Sequence, residues 1–581
     1  MRLKQTTLQC KQDLNQLAFR KIWQNYFCSH QNKKLYRLGT IVSITLFLLI
    51  GFNTSLLAQK KSEFPSITPY WALGHIIWED NFNTQSLADS LVQGYSNHHI
   101  PVDGIIIDSP WELHYNDFTW DKTKYPDPKK MLANFTSKNI HTLLWLTGNT
   151  NLTAVDIPGQ KAPNFDDAIK NNYVITVNDS ALLSWWKGRG VFIDFTNPEA
   201  VKWWNKQLDK VFIPGVYGWK VDNFELHNIA DSLKSSVGMI SERDFKKYYY
   251  NSMYDYTLKR NREGIIFARP YSHQGGFNAI PSKLSVGWCG DFSGDWKGLK
   301  HQISNIYKSA KAGYGALACE IGGFQGAAAN KQQLIRYSQF ASMVATIDNG
   351  GANGAFTNHL PWFHDSETTR IYRDLILMHR AIRPYIFSSL VENHLNGKTL
   401  INEISEKQES HKLGTDIFTK AITSDTTEVS FQLPKKGEWY NWWNGKKQNS
   451  GSIIKDEFPL NRFPLYISHG AILPLDINGM DCNKLKTDSK KTIILFYGMS
   501  NKKIVYHKPT GDGTNYTDIK IKTKRNGKIK VKSEMEHNFV FIVKKAGTPL
   551  YSNENGYPFD ILSGTKIISK TGKKFHTKKH D

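Results

Sequence analysis

Two aspartates have the residue type and the setting for acid–base work on a substrate. Asp222 ends the apolar, aromatic run Val216 to Val221 inside GVYGWKVDNFE (Gly215 to Glu225), a run with the composition of a buried strand. Asp291 ends WCGD (Trp288 to Asp291) in the same way. A carboxylate delivered at the C-terminal end of a strand sits where barrel enzymes assemble their chemistry. Taken alone, each stretch also fits an ordinary strand whose Asp caps the next helix, and Asp295 in GDFSGDW competes with Asp291 for any catalytic role.

Other apolar runs end alike. Asp108, Arg269, Glu320 and His359 join the two aspartates at predicted strand ends, and Trp111, Trp145, Trp186, Trp288, Phe324 and Trp362 lie near enough in sequence to wall a polar pocket. Two carboxylates facing each other across a sugar-sized gap are the minimal equipment for glycosidic cleavage, one acting on the anomeric carbon and one on the leaving oxygen.

The elements that must hold these groups come from hydrophobic periodicity. From about Ser66 to Leu390, short apolar runs alternate with longer amphipathic stretches, which predicts strand–helix units and a parallel sheet. The predicted strands are Trp71 to Trp78, Gly104 to Asp108, His141 to Leu146, Val216 to Asp222, Gly264 to Arg269, Leu284 to Asp291, Ala316 to Ile321 and Gly351 to Phe356. Such a series fits an α/β fold of the (β/α)₈ TIM-barrel class better than an open doubly wound sheet. None is followed by a dinucleotide fingerprint or P-loop, so no nucleotide cofactor is expected. Beyond Leu390 the alternation shortens and Gly, Asn and Lys turns appear, predicting C-terminal β-sandwich domains: a proximal one over 391–475 and a distal one over 476–563, with a mobile basic tail over 564–581.

Composition narrows the partners. The 581 residues carry a net charge of +22, but Lys and Arg concentrate at the two ends and are otherwise scattered, without a sustained basic stripe or a zinc-finger signature. The basicity therefore reads as solubility and targeting, and no nucleic acid partner is expected. Aromatic content of 13%, with 17 Trp and 26 Tyr, suits surfaces that stack on sugars, or equally a large aromatic core. Residues 1–60 read as a signal peptide or signal anchor: Lys33, Lys34 and Arg37 precede the apolar segment Ile41 to Phe52, and cleavage is expected near Ala58. That predicts a secreted, periplasmic or surface-exposed protein, touching a membrane only through an uncleaved anchor. Cys289, Cys319 and Cys482 in the exported part are too widely spaced for a disulfide framework or a metal site.

Several motifs, in order, resemble glycoside hydrolase family 31. They are IIIDSPWELHYNDFTWDKTKYPDPKKM (Ile105 to Met131), GVFIDFTNPEAVKWW (Gly190 to Trp204), WKVDNFE, WCGD, EIGGF (Glu320 to Phe324) and RAIRPYIFS (Arg380 to Ser388). LPKKGEWYNWWNGK (Leu433 to Lys446) and FPLNRFPLYISHGAILP (Phe458 to Pro474) resemble segments of that family's proximal sandwich. Lys220 stands two positions ahead of Asp222, as in xylosidase-like members.

The resemblance implies a retaining α-glycosidase, α-glucosidase-like first, with an α-xylosidase, an α-galactosidase, a transglycosylase or a non-catalytic sugar-binding barrel as alternatives. It implies Asp222 as nucleophile, kept ionised by Lys220 or Arg269, and Asp291 as acid/base, with Trp288 raising its pKa by desolvation. Asp108 and His359 are implied on sugar hydroxyls, Arg269 on the nucleophile side, and Trp186 and Phe324 along the bound oligosaccharide or α-glycoside. No metal is implied. The chain departs from the pattern with Thr357 and Asn358 before His359 and with Glu320 in place of the usual Asp. The family's N-terminal β-sandwich is expected to be absent or reduced to a stub.

Overall fold

In the computed structural model, the described residues are 64–80, 83–157, 161–222, 232–271, 276–351, 359–477, 491–551 and 565–576. The expectations for 1–60, for Cys482 and for Thr357 and Asn358 fall outside them. Eight parallel strands close into a barrel, each paired with its neighbours in sequence and the first with the last. They are His75–Glu79, Gly104–Ile107, His141–Leu146, Val216–Val221, Ile265–Ala268, Val286–Trp288, Leu317–Ile321 and Thr346–Asn349. Nearly every residue in them is buried, as expected of strands enclosed on both faces, and helices cover the outside.

Two strands differ from expectation. Trp71 belongs to a 3₁₀ turn, Tyr70–Leu73, and the first strand begins only after Gly74. The eighth strand is Thr346–Asn349, not Gly351 to Phe356, most of which lies outside the described residues. Its sequence, TIDN, has three polar residues in four, so a search for apolar runs passes over it. These polar residues are nonetheless buried, with partners inside the fold: Trp78 Nε1 donates to Asp348 Oδ1 at 2.9 Å, and Asn349 Nδ2 donates to the His359 carbonyl at 3.0 Å and to Tyr372 Oη at 2.8 Å.

The fourth strand, which leads to Asp222, bends at Gly218. Its φ is +142°, and a Cβ there would run into the Ile265 carbonyl of the fifth strand. The register against the third strand shifts near the same place, between Thr142 and Leu143.

The RAIRPYIFS motif lies in a helix, Ser366–Asn396, that ends at Gly397 in the left-handed conformation. From it Arg383 Nη1 reaches Asp103 Oδ1 at 2.6 Å, just before the second strand, and its guanidinium carbon lies 4.6 Å from the Tyr70 ring centroid.

Beyond the helix, Ile401–Ser405, Ser410–Leu413, Ile417–Lys420, Leu465–Ser468, Trp439–Asn441 and Lys447–Gln448 form one sheet, accompanied by the pair Glu428–Gln432 and Ile453–Glu457. Trp439, Trp442 and Trp443 are buried in this module. A further sheet holds Ala471–Leu475, Lys491–Tyr497, Ile529–Lys544, Tyr516–Thr523 and Lys502–Pro509. Ala471–Leu475 pairs with Lys491–Tyr497, so it belongs to the distal sheet and not to the proximal one. The expected mobile tail is corrected as well: Thr565–His576 is a strand, antiparallel to Ile529–Lys544. Its Ile568 and Phe575 pack on the distal core, and that apolar contact is what a Lys-counting view of the segment misses.

The Arg383–Asp103 pair gives a stability prediction. Burial pushes the Asp103 pKa up, but Arg383 and Arg380 override it and hold it near about 2. A depressed carboxylate pKa contributes stability that is complete above the unfolded value of roughly 3.9 and is lost as pH falls toward the folded value. Arg383→Met should cost about 3 kcal/mol by taking the nearest cation from half-buried Asp103. The check is the thermal midpoint at pH 7 and at pH 3, where the difference between wild type and variant should narrow.

Candidate active site

A cavity of about 450 Å³ opens at the C-terminal rim of the barrel. The first seven strand ends contribute. Asp80 follows the first strand and Asp108 the second, Trp145 lies in the third, and Lys220 and Asp222 come from the fourth. Arg269 follows the fifth, Trp288 and Asp291 come from the sixth, and Phe324 and Gln325 follow the seventh. A three-stranded flap after the third strand, Asn149–Ala154, Leu183–Trp185 and Gly188–Phe192, carries Trp186 to the mouth, where its ring meets Trp145 at 6.1 Å between centroids.

The wall is organised by two buried cations. Lys220 Nζ sits 2.7 Å from Asp108 Oδ2, with both side chains only 3% exposed, and lies 3.4 Å from the Trp78 ring centroid and 4.4 Å from that of Trp288. The Arg269 guanidinium touches both acids of interest: Nε is 3.6 Å from Asp222 Oδ1, and Nη2 is paired with Asp291 Oδ2. Its carbon lies 3.8 Å from the Trp288 ring centroid. Trp145 Nε1 donates to the other Asp222 oxygen, Oδ2, at 3.0 Å. Trp288 thus stacks on the cations, and Asp291 is held by Arg269. The expectation that Trp288 isolates Asp291 in an apolar setting does not match this arrangement.

Asp291 adopts a left-handed backbone, φ +71°, uncommon for a residue with a side chain. Its N–H donates to Glu320 Oε2 at 2.9 Å, which fixes the turn. Asp295, the rival acid, caps the helix Trp296–Lys311 by accepting from the Gly298 N–H at 2.8 Å. The capping role considered for Asp291 belongs to Asp295.

Carboxyls outnumber cations here. Asp80, Asp108, Asp222, Asp291, Glu320 and Asp348 surround Lys220 and Arg269, so they cannot all be ionised together. Burial pushes Asp222 above the usual carboxylate range, although Arg269 and Lys220 pull it back. Burial, reinforced by Asp108, raises Asp80 to about 7, and burial against the pull of Lys220 raises Asp348 to about 7. Glu320 is held well above its ordinary value by burial, then by Asp291 and Asp348. For Lys220, burial works against the charge, but Asp108 and Asp222 more than compensate and the net shift is upward.

Some expected site residues are elsewhere. His359 does not line the cavity; it is 4% exposed, with Nε2 2.8 Å from Glu79 Oε1, so its expected contact with sugar hydroxyls is replaced by an internal partner. Glu320 lies behind the wall beneath Asp291. Trp111 is fully buried, its Nε1 donating to the Trp145 carbonyl at 2.9 Å, and Trp362 packs outside the barrel near Tyr95 and His98, at 4.8 and 5.0 Å between centroids. Conversely, Asp80, Ser109 and Gln325 line the cavity and Asp348 underlies it, though none was singled out. Asp80 could have been found: IIWED places it two residues past the predicted end of the first strand.

A closed (β/α)₈ barrel whose C-terminal rim gathers paired acids, buried cations and indole rings defines the class, a barrel with a polar ligand pocket at its loop face. Within that class the chain belongs to glycosyl hydrolase family 31: the family's TIM-barrel domain matches residues 65–389, and its C-terminal domain matches 393–473. An alpha-xylosidase of Emericella nidulans is 22% identical over 468 residues, 74% of this chain and 57% of its own length. Alpha-glucosidase 2 of Bacillus thermoamyloliquefaciens is 22% identical over 433 residues, 70% of this chain and 54% of its own. This chain therefore spans little more than half the length of these relatives. Among solved structures, a Flavobacterium johnsoniae family 31 dextranase complexed with glucose superposes with a TM-score of 0.71 at 18% identity, over 83% of this chain and 64% of that one.

The buried pair gives the prediction for this site. Lys220→Met leaves Asp108 buried without its partner and should lower stability by about 3–5 kcal/mol, whereas Lys220→Met with Asp108→Leu should recover most of the loss. Thermal midpoints of both variants decide it; a double variant no better than the single one would refute the pairing argument.

Proposed function

We propose that this chain is a retaining α-glycoside hydrolase, α-glucosidase-like in substrate, working through a covalent glycosyl-enzyme. The observation that carries the reading is the single guanidinium of Arg269 set between Asp222 and Asp291 on one pocket wall. Asp222, steadied by Trp145 Nε1, attacks the anomeric carbon while the protonated Asp291 gives its proton to the departing oxygen. Asp291, then a carboxylate, takes a proton from water, and the hydroxide attacks the same carbon, expelling Asp222 and releasing the sugar with its configuration retained. Entering sugar hydroxyls compete for the guanidinium and release Asp291 to carry its proton. Asp108, held in place by Lys220 Nζ at 2.7 Å, accepts from ring hydroxyls, and Trp186 and Phe324 offer flat faces to the sugar. The relatives named alpha-glucosidase and alpha-xylosidase support a glucose-like or xylose-like ring.

A panel of aryl α-glycosides, assayed with product anomers followed by NMR, tests this. Wild type should turn over at least one α-glucoside or α-xyloside and release the α-anomer first. Asp222→Ala and Asp291→Ala should each lose activity by about 10³-fold or more while remaining folded, with a wild-type circular dichroism spectrum. Wild type inert on every sugar would overturn the hydrolase reading, and release of the β-anomer would overturn the retaining mechanism.

The pH profile follows from burial. Because catalysis needs ionised Asp222 and its pKa stands above the ordinary range, activity should fall as pH drops through a value higher than roughly 3.9. Arg269→Gln removes a charge that holds this pKa down, so the acid limb of kcat/KM should move to still higher pH.

A further inference from the structure

Four strands of the distal module lie side by side and antiparallel: Lys502–Pro509, Tyr516–Thr523, Ile529–Lys544 and Thr565–His576. Their register places Lys503 opposite Lys522, Lys522 opposite Lys530, and Lys530 opposite His576. Two residues along, Lys520 stands opposite Lys532, and Lys532 opposite Lys574. Residues paired directly across an antiparallel ladder share a face, so these lysines form two adjacent rows on one surface. The residues between them, Ile504, Ile521, Val531 and Phe575, turn the other way into the module's core.

Lys503, Lys520, Lys522, Lys530, Lys532 and Lys574 are exposed, and none makes an ion pair with another described residue. The hairpin between two of the strands extends the same charge with exposed Lys524 and Arg525. Like charges set opposite one another destabilise a sheet. Protection of a sheet edge explains lysine on an outermost strand. It does not explain Lys520, Lys522, Lys530 and Lys532, whose strands are paired on both sides at these positions.

We propose that this lysine-tiled face is a docking surface for a linear anionic polysaccharide, one carrying carboxylate or sulfate groups along its chain. The rows hold no Trp, Tyr, Phe or long aliphatic side chain to enter a lipid interface or to stack on successive bases, and His576 is the one ring in them. A flat sheet face also presents no helix or ribbon to a duplex groove. What the rows offer is a grid of flexible ammonium groups about 4.8 Å apart across strands, suited to point charges spaced along an extended polymer. On a glycoside hydrolase family chain, such a surface tethers a charged glycan and raises the local concentration of its ends at the barrel.

The test uses the full chain, with alginate as the polyanion and dextran as the neutral control, in affinity electrophoresis at about 50 mM and about 300 mM salt. Wild type should be retarded by alginate and not by dextran, and the retardation should weaken steeply at the higher salt. Replacing Lys520, Lys522, Lys530 and Lys532 together by Gln should weaken binding on the order of ten-fold or more, while the same four changed to Arg should retain it. A control with exposed Lys129, Lys138, Lys170 and Lys202 changed to Gln should bind like wild type, and the distal-face variant should keep wild-type kcat/KM on a small aryl glycoside. Absence of alginate binding, an equal loss in the control variant, or tighter binding to phosphatidylglycerol vesicles or duplex DNA than to alginate would overturn the proposal. The binding readout does not depend on turnover, so it stands or falls separately from the hydrolase reading.

Discussion

A primary amine buried among acids is the constraint on which the pocket depends. Lys220 is enclosed by Trp78, Trp288 and Asp108, and it keeps its charge because the carboxylates around it outweigh the cost of burial. In turn its charge opposes the rise that burial imposes on Asp222, in a wall where Asp80, Glu320 and Asp348 also hold protons more tightly than usual. Burial raises all four of these carboxyls and Lys220 opposes the rise at each, so one shared cation helps set their acidities.

In the pocket wall, indole rings serve this electrostatics. Trp78, Trp145 and Trp288 spend their ring faces or N–H groups on Lys220, Asp348, Asp222 and Arg269. Trp186, on the flap, remains partly exposed at the mouth. Backbone geometry does comparable work, since Gly218 admits the close approach of the fifth strand beside Lys220, and the left-handed Asp291 is pinned by the Glu320 carboxyl. At that position the family's usual Asp is one methylene shorter than Glu320.

Charge is distributed differently over the rest of the chain. Lysines that look scattered along the sequence, two residues apart on successive strands, are gathered by antiparallel register into rows on one face. A period of two along one strand reads as ordinary solvent exposure. Its alignment with the next strand is invisible until the pairing is known.

The barrel was legible in the sequence because enclosed parallel strands must be apolar on both faces, and seven of the eight runs announce themselves in that way, from His141–Leu146 to Leu317–Ile321. Asp222, Asp291, Asp108, Lys220 and Arg269 were legible too, because motif order and strand ends place them on one rim. The eighth strand, with its buried Asp348, was not, since its polarity is compensated by Trp78, a residue 270 positions away. Nor was the fate of His359, which depends on the carboxylate of Glu79, or that of Trp362, which depends on packing against a helix distant in sequence. Residue types and their local period determined which groups could reach the barrel mouth. Which of them face the cavity, which cancel one another behind it and which acids keep their protons was decided by tertiary structure, because burial and pairing energies are set by neighbours brought together only on folding.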